Sequence, residues 1–174
     1  MNSPNNKLSH ICALTWNCKG VYTRIEDLQV LLSQYSPDIL CLQETHLKNE
    51  QNLQLRGFAS IKSTPPHNAT AHGGTVLAIK QELYCEFLTI QTELQITCAR
   101  VSIHDHLVTI CSIYLAPDEK ISRNQLDSLL HQLPKPLLLL GDFNSHNPLW
   151  GGGGKRTNAA GSWKSFSTTM TSQC

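Results

Sequence analysis

The chain has almost no net charge. Its 14 Lys and Arg offset 13 Asp and Glu, leaving a formal +1 over 174 residues. That excludes a global basic field of the kind that marks nucleic-acid binding by charge alone. Among seven cysteines there is no C-x-x-C pair, and among eight histidines no H-x-x-x-H. Spacing therefore gives a zinc site no support, although His46, His72 and His146 invite one. An odd cysteine count with no framework pattern points to reduced thiols. The N-terminal MNSPNNKLSH is polar and has no apolar signal core. Together these predict an intracellular protein. Nothing approaches the roughly 18 consecutive apolar residues of a membrane span. Acid is missing from Phe143 to Cys174, where Lys155, Arg156 and Lys164 stand. No internal repeat or long linker divides the chain, so residues 1–174 read as a single domain.

What is present is a series of apolar runs that end in polar residues. Leu137 to Leu140 run into Gly141, Asp142, Phe143 and Asn144. Such a run, closed by a turn signal, reads as a strand buried on both faces. Strand period places Asp142 and Asn144 on one side. Both are also ordinary turn formers, and on this segment alone turn and site weigh equally. Ile11 to Trp16 predicts a first strand, stopped at Asn17. Thr23 with Glu26 has the pattern of a capping box, followed by Ile25, Leu28, Leu31, Leu32 and Tyr35 at helical period. Asp38 to Gln43 predicts a second buried strand with Glu44 at its end. Strands are predicted over 57–62, 74–80, 83–90, 94–103 and 107–115, with a hairpin-like turn at His104 to His106. Ser122 and Gln125 form a second capping box, heading a helix with Leu126, Leu129, Leu130 and Leu133 on one face. Gly151 to Gly154 is a flexible run, and Asn158 would cap a last helix carrying Trp163, Phe166 and Met170. The order β-α-β, several strands, α-β implies an α/β sandwich with sheets face to face and helices outside.

Several strand ends thus carry oxygen-bearing side chains: Asn17, Glu44, and Asp142 with Asn144, with Tyr114 close to another. Ligands collect outside the carboxyl ends of sheet strands. Oxygen ligands delivered there by separate strands suit a hard cation such as Mg²⁺. Each residue also has a plainer reading. Asn17 serves as a turn residue, Glu44 as a cap or ion-pair partner, and Tyr114 as a half-buried aromatic.

The segments WNCKG (16–20), CLQET (41–45), HGGTVLAI (72–79), SIYLAP (112–117) and LLLLGDFNSHNPLWG (137–151) resemble, in order and spacing, the endonuclease/exonuclease/phosphatase superfamily. Within it the chain looks most like the apurinic-type endonuclease domain at the front of non-LTR, jockey-like retrotransposon polyproteins. The resemblance implies a four-layered α/β sandwich, two packed mixed sheets with helices on their outer faces. It implies that Glu44 binds a divalent metal, Mg²⁺ or Mn²⁺, helped by Asn17. Asp142 would orient or deprotonate the attacking water, Asn144 would donate to the phosphate, and Tyr114 would contact the scissile phosphate. Lys155 and Arg156 are candidate DNA contacts. Trp150 is read as packing under its loop.

The implied activity is Mg²⁺-dependent nicking of DNA, at a nuclear site of action, to prime a reverse transcriptase domain of the same polyprotein. The family pattern continues with further strands, a metal-site aspartate and a closing Ser-Asp-His. In this chain the last histidine is His146 and the sequence reaches only Cys174. The expectation is therefore a domain lacking its closing C-terminal strands, with exposed edges, poor solubility and at best feeble activity. The competing readings are a catalytically inactive remnant, a phosphatase or phosphodiesterase of another branch, and a non-enzymatic interaction module.

Overall fold

Alternation along each strand sorts side chains between two apolar layers. The computed structural model describes residues 10–64, 73–117 and 121–144. Among these, β1 (Ala13–Asn17), β2 (Ile39–Gln43), β3 (Phe58–Ser63) and β4 (Thr75–Lys80) form one sheet in the order β1-β2-β4-β3. A second sheet runs β5-β6-β7-β8, from β5 (Cys85–Leu88), β6 (Gln95–Ile103), β7 (His106–Tyr114) and β8 (Leu137–Asp142). Both sheets are mixed. β1 is parallel to β2 and β7 to β8, and the remaining pairs are antiparallel.

The sheets pack through one cluster in which Ala13, Ile39, Cys41, Leu77 and Ile79 meet Ala99, Val101, Val108, Ile110 and Leu140. The intervening residues face outward. Leu14, Leu40, Leu42 and Val76 pack under α1 (Ile25–Tyr35) through Leu28 and Leu31. Cys98, Cys111 and Ile113 pack under α2 (Arg123–Gln132) through Leu129. The result is the predicted α/β sandwich, with one helix on each outer face.

Local signals explain most boundaries. The Ser122–Gln125 capping box forms reciprocally. The turn between β6 and β7 places His104 and Asp105 at positive φ, the conformation that matches hairpin twist. The Thr23–Glu26 box does not form. A 3-10 turn spans Tyr22–Arg24, α1 starts with no side-chain cap, and the Thr23 hydroxyl donates instead to the Gly20 carbonyl at 2.8 Å. A nearby acceptor in the preceding turn outcompetes the helix N-terminus. β8 is only half-buried along most of its length, because it is an edge strand among the described residues. Both its faces still pack, Leu138 and Leu140 between the sheets, Leu137 and Leu139 under α2. His146, Trp150, the glycine run, Lys155, Arg156 and the helix expected after Asn158 lie outside the described residues.

Candidate active site

Parity carries two strand ends into the seam between the sheets. Asn17 continues the inward row of Ala13 and Thr15, and Asp142 that of Leu138 and Leu140. They meet there. The Asn17 Nδ2 donates to Asp142 Oδ2 at 2.8 Å and to Glu44 Oε1 at 2.8 Å. One amide nitrogen thus holds a carboxylate from each sheet, and the two oxygens are no further apart than twice that distance. Ionised carboxylates only accept, so the NH₂ faces them and the Asn17 carbonyl oxygen is turned away. That Oδ1 is buried and has no hydrogen-bond partner among the described residues.

Glu44 follows β2 at φ +51. Its carbonyl accepts from the Gly20 amide at 2.7 Å, and the next two amides, of Thr45 and His46, donate to Gly74 and Gly73. A non-glycine residue at positive φ is held there by its surroundings, and these bonds are the restraint. His46 Nε2 stands 4.0 Å from Glu44 Oε2. Tyr114 is buried and is the register partner of Asp142 across β7–β8. Asn144, at φ +38, donates its backbone amide to Asp142 Oδ1 at 3.0 Å and its side-chain amide to the Leu115 carbonyl at 2.7 Å. The segment is therefore a turn as well as a cluster of functional groups. Strand parity does not govern Asn144, since β8 ends at Asp142. Both Asp142 oxygens are engaged, which fixes the carboxylate plane while each oxygen keeps a lone pair for a further donor.

Two glycines make this geometry possible. Gly141 has φ +144, and a Cβ there would lie 1.9 Å from the Ile113 carbonyl oxygen. Gly73, at φ +121, lies so close to the Gln95 side chain that a Cβ would fall 2.4 Å from its Oε1.

Next to the cluster in sequence, Cys18 packs on the opposite face of the first sheet, in the core under α1. Burial pushes the Cys18 thiol up to about 12, and it donates to the Gln43 carbonyl at 3.3 Å. A thiol so suppressed is no nucleophile. In the seam itself Gln43, Thr75, Thr97 and Ser112 are buried polar residues. Gln43 and Ser112 went unnoticed in the sequence. The inward parity Ile39, Cys41, Gln43 was the signal that could have found the glutamine. Among the described residues no three His, Cys, Asp or Glu side chains gather as a metal cluster. Two carboxylates and the amide nitrogen that joins them are what this seam presents.

The chain is similar to known proteins in sequence and in fold. The chain is 27% identical over 150 residues to a probable RNA-directed DNA polymerase from transposon X-element of Drosophila melanogaster, spanning 85% of this chain and 16% of that protein. It is 28% identical over 138 residues to the RNA-directed DNA polymerase from the mobile element jockey of the same organism, spanning 78% of this chain and 15% of that one. The chain therefore matches less than a fifth of these relatives' length. Among solved structures, the endonuclease domain of TRAS1, a telomere-specific non-LTR retrotransposon, superposes with a TM-score of 0.63. It is 20% identical and covers 82% of this chain and 64% of its own. An AP endonuclease from Leishmania major gives 0.51 at 18% identity, covering 62% and 41%. These two likenesses show the fold. Residues 14–173 match the Endonuclease/Exonuclease/phosphatase family, and the chain belongs to it.

Proposed function

We propose that this chain is the DNA-nicking endonuclease part of a longer retrotransposon polyprotein, acting in the nucleus with Mg²⁺ or Mn²⁺. It would leave a 3′-hydroxyl from which a reverse transcriptase domain of the same polyprotein primes synthesis. The observation that carries this reading is the Asn17 amide binding Glu44 and Asp142 at once, from two sheets, at the carboxyl ends of their strands. The relatives named above, themselves RNA-directed DNA polymerases, support the polyprotein context.

The donor set fits a hard cation. Glu44 supplies a carboxylate of the kind such ions take. Asn17, whose Nδ2 holds both carboxylates while its Oδ1 has no partner among the described residues, would add its oxygen by turning its amide over, so Glu44 with Asn17 would hold the ion. Bound there, the cation would neutralise the phosphate and the leaving oxygen. Asp142 orients a water and accepts its proton as the oxygen attacks phosphorus. The P–O3′ bond breaks, the 3′ oxygen leaves with the bonding electron pair and takes a proton from solvent water, and Asp142 returns its proton to solvent. Asn144 spends one amide hydrogen on Leu115, and the second donates to a phosphate oxygen. The Tyr114 phenol contacts the scissile phosphate. Lys155 and Arg156 hold the flanking backbone through salt-sensitive, sequence-blind contacts.

Supercoiled plasmid incubated with the full chain tests this. Nicking is expected with Mg²⁺ and not with EDTA, and Glu44→Gln and Asp142→Asn should each abolish most of it. Nicking that survives both substitutions would overturn the assigned roles. DNA binding without nicking would mark the chain as a binding remnant, and release of phosphate from a monoester would move it to the phosphatase branch.

A further inference from the structure

The geometry points to Gln43 as a positioning residue that sets the distance between the two halves of the site; we propose that it acts through its hydrogen bond to Ser112. This rests on the reading above. Asn17 and Glu44 belong to the first sheet, and Tyr114 and Asp142 to the second. Their spacing is therefore the spacing of the sheets. Most of the sheet–sheet interface is apolar, and apolar burial favours contact without favouring one register.

Gln43 is 1% exposed, and its hydrogen bonds have one consistent direction. The Thr15 hydroxyl donates to Gln43 Oε1 at 3.2 Å. Gln43 Nε2 donates to Ser112 Oγ at 3.0 Å, across to the other sheet. Ser112 Oγ donates back to the Leu42 carbonyl at 3.4 Å. The chain of donors ends on the Leu42 carbonyl, so turning the glutamine over would take the Ser112 hydroxyl away from that carbonyl.

The places it joins are those that matter. Gln43 is the register partner of Asn17 and the residue before Glu44. Ser112 stands two residues before Tyr114 on the same face of β7, and Tyr114 is the register partner of Asp142. One buried bond thus ties the backbone that carries Asn17 and Glu44 to the backbone that carries Tyr114 and Asp142. The Asn17 amide can span both carboxylates only while that tie holds.

The test uses the full chain as Gln43→Met, Ser112→Ala and the double variant. Val101→Ala, in the apolar part of the same interface, is the control for lost stability alone. Two quantities are read: the Asn17 side-chain NH₂ resonances of the metal-free protein, and Mn²⁺ affinity by titration. Gln43→Met should displace the Asn17 resonances and weaken Mn²⁺ binding roughly tenfold or more, as loss of a group that orients a ligand does. Ser112→Ala should do the same, and the double variant no more than either. Val101→Ala should lower the melting temperature and leave both readings at their wild-type values. Where Gln43→Met proves too unstable, Ser112→Ala, which deletes a single hydroxyl, carries the test. Wild-type resonances and affinity in Ser112→Ala, or an equal effect from Val101→Ala, would overturn the positioning role. A wild-type chain that fails to nick while Gln43 behaves as expected would overturn the proposed function and leave the positioning role standing.

Discussion

The interface between the two sheets has unlike ends. Where β2 begins and β6 ends, Ile39, Ile79, Ile103 and Val108 meet as a carbon-lined core. Where β2 ends, the inward positions are Asn17, Gln43, Thr75, Ser112 and Asp142, joined across the seam by hydrogen bonds. The strand alternation is the same at both ends, and only the residue type changes. The apolar end gains free energy from burial and tolerates small shifts. The polar end gains little net free energy, since each bond replaces one to water. What it gains is direction. The lesson is that this fold assigns stability and geometry to different rows of one interface, and substitutions should separate them.

The largest effect should come from the one residue that serves both ends. Gly141→Ala would put a methyl onto the Ile113 carbonyl. β7 and β8 would have to part, which breaks the second sheet and moves Asp142 at the same time. A loss on the order of 4 kcal/mol or more is expected, with nicking lost as well. Thermal unfolding by circular dichroism checks it, and a melting temperature close to wild type would show that the close approach is not required.

Next comes a cut in the apolar end. Ile110→Ala should cost about 2–5 kcal/mol, the usual range for a large core truncation. Measured well below its melting temperature, its nicking rate should stay within a few-fold of wild type. A rate loss as large as the one expected at the polar end would erase the distinction between the ends.

Asp142→Asn is the converse. Removing a general base and its charge should slow nicking on the order of 10²-fold or more. Stability should change by no more than about 1 kcal/mol, because the amide still accepts from Asn17 or Asn144. A melting temperature that falls as far as that of Ile110→Ala would make Asp142 a structural residue.

These rows differ in how legible they were in the sequence. Runs such as Ile39 to Leu42 and Leu137 to Leu140 announced their strands, and Ser122 with Gln125 announced α2, because period and capping chemistry are local. Strand ends likewise exposed Asn17, Glu44 and Asp142 as candidates. Sheet order was not legible, since β2 passes over β3 to pair with β4 and β7 pairs with β8 across α2. The Thr23 box misled because a second local acceptor, the Gly20 carbonyl three residues earlier, competes for the same hydroxyl. That one amide would serve both carboxylates, and that Gln43 would reach Ser112 some 69 residues away, depends on how the sheets face each other. No window of sequence contains that.

The smallest effect comes from Cys18, on the α1 side of the strand end that carries Asn17, and it appears only in alkali. Burial raises the Cys18 thiol from its ordinary 9.0 to about 12. The folded state therefore keeps a proton that the unfolded chain loses, so the contribution is fully present below pH 9 and is lost as pH climbs towards 12. Over that window the thiol should lower stability with a slope of up to roughly 1.4 kcal/mol per pH unit. Denaturant midpoints measured from pH 8 to 11 should fall for wild type. They should fall less steeply for Cys18→Ala, which removes this one titration and leaves the other buried thiols in place. Equal slopes would mean that water reaches Cys18 in the core under α1. In that case the backbone carbonyls of Gln43 and Glu44, which accept from its thiol, would be solvated on that side of the sheet.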